Sequence, residues 1–412
     1  MVGPKRFIFY SHDGVGLGHL RRNLAIGAAL TKAAPDASVL LATGCHELGT
    51  HGLAPNVDLL VLPAIRKLGR GHYAGRRLPI SGGDLAVLRA GQLEMAVRSF
   101  RPDVMLVDKH PVGVRGELRP ALAALEQVGG RAALGLRDIL DEPGAVVEEW
   151  AAGHVREAIE EHFDEILVYG DPRVLDVAKE YGLPPSLSGR LSYCGYVVNP
   201  PSVQSAALDS QPMFPTRLRR IPTVLATTGG GEDGRGLLEC FIQAARAARW
   251  TAVAVSGPQL EATEREALTR MAVEAGVEFH GTVPEVASWF SHVEAVVCMG
   301  GYNTLGEAIS RGTPTVCVPR VHPRQEQLIR ARAFERLGLL RTVEPDLLNP
   351  ALLREEIDAV LGASRRELAA RAGASLDFGG ARRAATRLLE LAGRAAAGSE
   401  SARPRIAALP QR

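Results

Sequence analysis

Residues 295–340 read AVVCMGGYNTLGEAISRGTPTVCVPRVHPRQEQLIRARAFERLGLL, and they contain two short apolar runs that each end in a polar turn. Residues 295–299 and 315–318 have the length and apolar content of strands buried in a parallel sheet. Between the two runs, Gly300 and Gly301 let the backbone turn sharply into a helix. The segment therefore predicts a β-α-β-α unit, and ligands of such sheets bind where the strands end.

Similar apolar runs alternate with helical patterns on both sides of this unit. Further strands are predicted at residues 7–10, 38–42, 59–62, 104–107, 132–136, 166–168, 223–226, 252–256 and 277–280. This alternation indicates parallel sheets covered by helices on both faces. We predict an N-terminal domain over 1–200, a Pro- and Ser-rich linker over 201–221, a C-terminal domain over 222–377, a helix over 378–397 and a disordered tail over 398–412. The expected fold class is α/β, with two Rossmann-like domains facing a cleft.

Composition narrows the classes of function. The 412 residues carry a net charge of +2, and only five of the 48 basic residues are lysines, so no clustered basic face for nucleic acid is indicated. The five cysteines are scattered, which favours a reducing compartment without a disulfide framework or zinc site. No apolar stretch near the N-terminus is long enough for a signal peptide or a membrane span, so a cytoplasmic protein is expected.

A cluster of three glycines, Gly229 to Gly231, follows the predicted strand 223–226 and precedes a helical pattern over 237–248. Consecutive glycines before a helix expose several amides, which suits a diphosphate. The alternative is a flexible turn in which Asp233 caps the following helix.

The first strand is followed by Gly14, Gly16 and Gly18, which partly match a dinucleotide fingerprint. A leucine and an arginine replace the third glycine, and no acidic ribose clamp follows strand two, so a nicotinamide enzyme is disfavoured. His19 stands at the expected helix start, where the helix N-terminus favours the neutral imidazole of a general base. The alternatives are a tight packing turn and a structural histidine.

Polar side chains follow both strands of the opening unit. Its first helix is expected to begin near Asn303 or Thr304, and Glu307 follows three residues after Thr304, a spacing that also fits a capping box. Residues 319–327 then place Arg, His, Gln and Glu at the next strand end. Carboxylates accept hydrogen bonds from vicinal hydroxyls, so the two strand ends together indicate a sugar or ribose site. The sequence has no acidic pair at a strand end and no histidine spacing of the kind that would indicate a metal site.

Together these motifs resemble glycosyltransferase family 28, the MurG-like group of GT-B enzymes, over roughly residues 223–340. The resemblance implies a nucleotide-sugar donor, with UDP expected, and no other cofactor. It implies that the diphosphate meets the loop of Gly229, Gly230 and Gly231, that the Glu307 carboxylate holds the ribose hydroxyls, that the backbone of Val283 contacts the base, and that Glu326 and Gln327 contact the sugar. The further donor-binding residues that it implies are Thr228, Gly300, Gly301, Asn303 and Thr304. Gly16, Gly18 and His19 resemble the acceptor-side loop of the family.

The chain departs from the family pattern at three places. Arg330 stands where the family usually has Asn, and Glu326 replaces the first residue of a glutamine pair, which argues against N-acetylglucosamine as the sugar. The interdomain Asn199-Pro200 is present but lacks the arginine that often follows. The phrases LVDKHPVG and LGLRDILDEP are similar to an uncharacterised branch of predicted glycosyltransferases. The acceptor class is therefore open among lipid-linked molecules, glycans and small molecules.

The combined expectation is an inverting, metal-independent glycosyltransferase. The candidate bases are His19, Asp108 and Asp138, the last two near N-terminal strand ends. The alternatives are a nucleotide-sugar 2-epimerase of the same fold and a catalytically silent binding subunit of a transferase complex. Peripheral membrane contact is expected through the face formed by residues 17–22.

Overall fold

The computed structural model describes residues 4–12, 18–45, 53–69, 72–198, 221–231 and 233–398. The predicted linker, apart from Ile221, and the predicted tail, apart from residue 398, lie outside these ranges, as do Gly14, Gly16 and Asn199.

The N-terminal domain is built on a seven-stranded parallel sheet. The strands of this sheet are β1 (Arg6–Ser11), β2 (Ser38–Thr43), β3 (Val57–Val61), β6 (Val104–Asp108), β7 (Arg131–Arg137), β8 (Glu165–Tyr169) and β9 (Leu191–Tyr193). Between β3 and β6, the strands β4 (Ile65–Gly69) and β5 (His72–Gly75) form a separate antiparallel hairpin. The sheet order is β3-β2-β1-β6-β7-β8-β9. Every residue of β6 and β8 is buried, because helices cover both faces of the sheet centre.

The covering helices are α1 (Gly18–Ala33), α2 (Gly82–Phe100), α3 (Arg119–Gln127), α4 (Pro143–Ala152), α5 (Val155–His162), α6 (Val177–Glu180) and α7 (Pro185–Ser188). The longest of these, α2, begins where the Ser81 side chain accepts a hydrogen bond from the Asp84 amide. It ends at Arg101, whose left-handed backbone terminates the helix.

The C-terminal domain is also built on a parallel sheet, which has six strands. They are β10 (Thr223–Thr227), β11 (Thr251–Val255), β12 (Glu278–His280), β13 (Ala295–Cys298), β14 (Thr315–Cys317) and β15 (Arg341–Thr342), in the order β12-β11-β10-β13-β14-β15. The helices are α8 (Arg235–Ala245), α9 (Ala262–Ala275), α10 (Tyr302–Ser310), α11 (Glu326–Arg336), α12 (Pro350–Val360) and α13 (Arg365–Ser375).

The last helix, α14 (Gly380–Gly398), returns to the N-terminal domain and packs against α1. The Arg387 guanidinium donates to the Glu165 carboxylate at 2.6 Å, and the Lys5 ammonium donates to the Leu389 carbonyl at 3.2 Å. The chain therefore crosses between the domains a second time before α14, which ties its end to the N-terminal domain.

The predicted α/β fold class is confirmed, and each predicted strand lies within two residues of an observed one. The short strands β9 and β15 and the β4–β5 hairpin were not predicted. The helix α10 begins at Tyr302, one residue before the expected start near Asn303 or Thr304, with Gly301 as its N-cap. The capping-box alternative is wrong, because Thr304 lies inside the first turn and cannot act as the N-cap.

Candidate functional site

The carboxyl ends of the two parallel sheets face each other across the interdomain cleft. The N-terminal sheet presents Asp108 and Asp138, which end β6 and follow β7, and the C-terminal domain presents the beginnings of α10 and α11. The Asn303 amide of α10 donates to the Gly18 carbonyl at the start of α1, with an N···O distance of 3.4 Å. This contact places His19, the next residue of α1, beside the first turn of α10.

The glycine turn after β10 has a backbone that other residues would strain. Gly229 and Gly231 have φ angles of +65° and +96°, and a Cβ on Gly231 would lie 2.3 Å from the Ser256 carbonyl oxygen. The Thr228 hydroxyl donates to the same carbonyl at 2.6 Å, which holds the turn against β11. A Cβ on Gly229 would lie 3.6 Å from the Thr304 hydroxyl, so this turn adjoins the first turn of α10.

A second glycine turn shapes the N-terminus of α10. Gly300 has a φ of +81°, and a Cβ there would lie 3.0 Å from the Cys317 sulfur. Gly301 is the N-cap, and no side chain of a described residue caps the helix. The first backbone N–H groups of an α-helix lack intrahelical partners and carry partial positive charge. The turn at Gly229 to Gly231 adjoins this helix end, and backbone amides exposed in this way are suited to a diphosphate.

Glu307 lies one turn further into α10 and is 4% exposed. Its backbone carbonyl accepts a hydrogen bond from Arg311 at 2.7 Å. Burial lowers the pKa of the Arg311 guanidinium, and the Glu307 carboxylate partly opposes that shift, so the two side-chain charges are neighbours. The ribose contact implied for Glu307 stays a prediction.

Glu326 and Gln327 begin α11 and are both held by Arg320. The Arg320 guanidinium donates to Glu326 Oε1 at 2.7 Å, and the Arg320 backbone N–H donates to Gln327 Oε1 at 3.1 Å. Glu326 Oε2 is buried and has no hydrogen-bond partner among the described residues. Arg320 also reaches Asp233 at 3.2 Å, which links α11 to the glycine turn after β10. A sugar hydroxyl would satisfy the remaining oxygen of Glu326.

Val283 lies between β12 and the following 3₁₀ helix (Val286–Ser291), and its side chain is 8% exposed. Trp289 of that helix packs its indole edge-on against the His280 imidazole, with ring centroids 5.4 Å apart. The backbone contact to a base implied for Val283 stays a prediction.

His19 is paired with Asp108. Its Nδ1 lies 3.1 Å from Asp108 Oδ2 and 3.0 Å from an Arg22 nitrogen, while Arg22 donates to the same carboxylate oxygen at 2.7 Å. Burial would raise the pKa of Asp108, but the charges of Arg22 and then His19 outweigh burial and lower it below its ordinary range. Nδ1 can donate to Asp108 or accept from Arg22, and the first arrangement leaves Nε2 as the proton acceptor.

Asp138 has a different environment from that of Asp108. Its two carboxylate oxygens accept two hydrogen bonds from Arg330, each 2.7 Å long, and one of them also accepts from the Tyr196 hydroxyl at 3.0 Å. Asp138 is 1% exposed and Arg330 is fully buried. A carboxylate held in this way joins the two domains, and the geometry favours this structural role over that of a base.

Arg22 and Arg330 were not predicted as site residues, yet both organise the cleft. The Arg22 guanidinium lies 5.1 Å from the Tyr169 ring centroid and 5.4 Å from that of Tyr302. The Arg330 guanidinium lies 5.7 Å from the Tyr302 ring centroid and donates to the Gly300 carbonyl at 2.9 Å. The position of Arg22 three residues after His19 on α1 was the available sequence signal.

Two further predictions concerned metals and membranes. Within the described residues, no cluster of three or more His, Cys, Asp or Glu side chains is arranged to hold a metal ion. No helix in the described part of the chain is long and apolar enough to cross a bilayer. On the predicted membrane face of residues 17–22, Leu20 and Arg22 are buried, Gly18, His19 and Arg21 are half-buried, and Leu17 lies outside the described residues, so membrane contact through this face stays a prediction.

Solved glycosyltransferases share this two-domain architecture. The calicheamicin glycosyltransferase CalG4 aligns with a TM-score of 0.59 and 18% identity over 96% of this chain and 99% of its own. A UDP-glucosyltransferase from Polygonum tinctorium aligns with a TM-score of 0.65 and 12% identity over 95% and 100% of the two chains. MurG of Acinetobacter baumannii aligns with a TM-score of 0.56 and 14% identity over 95% and 100%.

Neither a protein-family model nor a curated protein sequence matches the chain. The likeness is therefore one of fold. At that level the predicted resemblance to MurG and other GT-B glycosyltransferases is confirmed.

Proposed function

We propose that this protein is a glycosyltransferase that moves a sugar from a UDP-sugar to an acceptor hydroxyl. The observation that carries the proposal is the meeting, in one cleft, of the His19–Asp108 pair with the uncapped N-terminus of α10. The Asn303 to Gly18 hydrogen bond brings these two halves of the site together. Displacement of a diphosphate by a hydroxyl requires a base next to groups that stabilise the leaving anion.

In the proposed reaction, His19 Nε2 takes the proton of the acceptor hydroxyl as the oxygen attacks the anomeric carbon. Asp108 holds the imidazole in the required tautomer and stabilises the imidazolium that forms. The attack comes from the face opposite the diphosphate, so the anomeric configuration inverts. The diphosphate leaves with its charge, which meets the amides of the turn at Gly229 to Gly231 and of the α10 N-terminus; we propose that these serve in place of a metal ion.

The direct experiment incubates the protein with single UDP-sugars, in the presence and absence of a panel of lipid, glycan and small-molecule hydroxyl acceptors. We expect UDP release and a glycosylated product with inverted configuration, measured by mass spectrometry and NMR. His19→Asn should abolish product, whereas the same change at His154, which is exposed in the α4–α5 connection, should not.

Two other outcomes would replace this proposal. Rapid epimerisation of a UDP-sugar without acceptor would make the protein a 2-epimerase. UDP-sugar binding without any turnover, and with no effect of substitutions at His19 or Asp108, would make it a binding subunit.

We also retain peripheral membrane contact as a proposal, at a different face. Exposed apolar side chains concentrate on α2, where Val87 is 74% and Met95 62% exposed. The neighbouring hairpin segment, residues 65–77, contains no acidic residue and exposes Arg76 and Arg77. An apolar helix face beside basic side chains suits the surface of a bilayer that contains anionic lipid.

Cosedimentation with vesicles tests this face. We expect binding to phosphatidylglycerol-containing vesicles that weakens in Met95→Asp but not in Val273→Asp, a change at a residue of α9 that is 76% exposed. Equal binding by both variants, or none by the native protein, would contradict the proposal.

A further inference from the structure

Two cationic side chains stand at the carboxyl edge of the N-terminal sheet, beside the proposed transfer site. Lys109 directly follows β6 and Arg137 ends β7, and these strands are neighbours in parallel register, with Asp108 beside Gly135. Lys109 therefore adjoins the carboxylate that holds His19, and Arg137 adjoins the carboxylate that holds Arg330. Both side chains are partly exposed.

The backbone at Lys109 is unusual for a residue with a side chain. Its φ of +73° lies in the left-handed region, where a lysine is disfavoured. Its N–H donates to the Gly135 carbonyl at 2.8 Å, which holds the residue against β7 in this conformation. Strained residues of this kind persist where surrounding structure enforces them, and they concentrate at binding and catalytic sites.

The acidic residues of the cleft form ion pairs with arginines other than Arg137. Arg22 pairs with Asp108, Arg330 with Asp138, and Arg324 with both Asp141 and Glu149. Lys109 and Arg137 form no ion pair with a described residue. The Arg137 Nε atom is fully buried without a hydrogen-bond partner among the described residues.

The charges around Lys109 are mainly positive, whereas at Arg137 burial lowers the pKa and the charge of Glu326, the strongest neighbouring charge, partly opposes that shift. Burial, and next the charges of Arg137 and Arg324, lower the pKa of Lys109 to about 7, against smaller opposing effects of Glu149 and Glu326. Burial also lowers the pKa of the nearby His110, and the Lys109 charge adds to that effect. An anion bound here would relieve the repulsion among these groups.

We propose that Lys109 and Arg137 bind an anionic group, a carboxylate or a phosphate, carried by one of the substrates of the transfer reaction. The inference rests on the proposed function and specifies the substrate class for the same cleft. The guanidinium plane of Arg137 suits two-point contact with such a group, and Lys109 supplies a point charge. The group is either the acid function of a uronic sugar on the donor or an acidic function of the acceptor.

Inorganic phosphate is the first probe, used in a thermal-shift titration with saturating UDP so that the diphosphate pocket is occupied. We expect phosphate to raise the melting temperature of the native protein, since binding to the folded state stabilises it. The shift should be lost in Lys109→Gln and Arg137→Gln and kept in Lys179→Gln and Arg115→Gln, which change exposed side chains. No phosphate-dependent shift in the native protein, or the same shift in all variants, would overturn the inference.

The source of the anionic group is then assigned with matched donors. If it belongs to the donor, the two cleft variants should lower the affinity for UDP-glucuronate about tenfold or more while the affinity for UDP-glucose is unchanged. If it belongs to the acceptor, both donors should bind the variants as they bind the native protein, and phosphate should inhibit transfer competitively with the acceptor. An equal loss of affinity for both donors would contradict a charge-specific role. Failure of the proposed function has a separate signature, because no glycosylated product would then form from any donor and acceptor, whether or not phosphate raises the melting temperature.

Discussion

The substitution Asp138→Asn tests the assignment of this residue to the link between the domains. In the native protein its carboxylate accepts hydrogen bonds of 2.7, 2.7 and 3.0 Å from Arg330 and Tyr196. An amide keeps the shape but removes the charge, so the buried Arg330 guanidinium loses its counter-charge. Breaking a buried ion pair from one side costs about 3–5 kcal/mol.

The assay is urea unfolding followed by tryptophan fluorescence and circular dichroism. We expect the free energy of unfolding for the first transition to fall by that amount in Asp138→Asn, so that its midpoint moves to a lower urea concentration. The first transition is the one compared, because two domains can unfold in separate steps. The control Asp346→Asn changes an exposed carboxylate and should leave the transition in place. Replacing Asp138 by Leu together with Arg330 by Met should recover most of the loss, because a packed apolar pair can substitute for a buried ion pair.

The reasoning is refuted if Asp138→Asn unfolds at the same urea concentration as Asp346→Asn. If turnover nevertheless fell more than about 100-fold, Asp138 would be acting as the general base that the sequence also allowed.

Three further predictions concern the proposed site. His19→Ala should lower kcat by roughly 10²- to 10⁴-fold with unchanged UDP affinity, and steady-state kinetics showing less than a tenfold loss would contradict its role as base. Glu307→Ala should weaken UDP binding by roughly 1–3 kcal/mol in calorimetry; unchanged affinity with a lower melting temperature would show that Glu307 supports only the fold. Asp108 has a pKa below its ordinary range, so it stabilises the folded state above a pH of roughly 4 and loses that contribution as the pH falls further. Unfolding free energy should therefore decline less steeply in acid for Asp108→Asn, and an identical acid decline would contradict the assigned pairing.

Local sequence patterns were sufficient for the architecture. The buried strands β6 and β13 are short apolar runs followed by turn residues, and this signal depends on neighbours in the chain. The two-residue strand β15 is too short to show any periodicity, and the β4–β5 hairpin lies in a basic segment without apolar alternation. Such elements are fixed by their pairing partners in the folded protein.

The site was predicted in part for the same reason. Glycine turns and helix starts are local features, so Gly229 to Gly231 and the beginning of α10 could be proposed from the chain alone. The capping-box alternative failed because two adjacent glycines can both precede a helix, and only the backbone angles show that Gly301 is the N-cap. The capping-box interpretation therefore made Thr304 the N-cap, whereas Thr304 is the third residue of the helix.

Contacts between the domains could not be predicted. Asp138 and Arg330 are 192 residues apart, and their pairing depends on how one domain sits on the other. At the sequence level, Arg330 was a departure from the family pattern without an explanation. The structure supplies one, since the longer basic side chain crosses the cleft to a carboxylate that would otherwise be buried without a counter-charge.

The central claim is that a nucleotide diphosphate binds where the turn after β10 meets the N-terminus of α10. Isothermal titration calorimetry of UDP with Gly301→Ala tests it most directly. A Cβ on Gly301 would meet nothing closer than the Thr304 hydroxyl at 4.0 Å, and its φ of −59° suits alanine, so the fold should tolerate the change.

The added methyl group would stand where the diphosphate approaches the helix amides. We expect the native protein and the control Gly373→Ala, where a Cβ on α13 meets nothing within 4 Å, to bind UDP equally. Gly301→Ala should bind it about tenfold or more weakly, a loss of about 1.4 kcal/mol or more. Equal UDP affinity in all three proteins, or no binding by the native protein, would contradict the account.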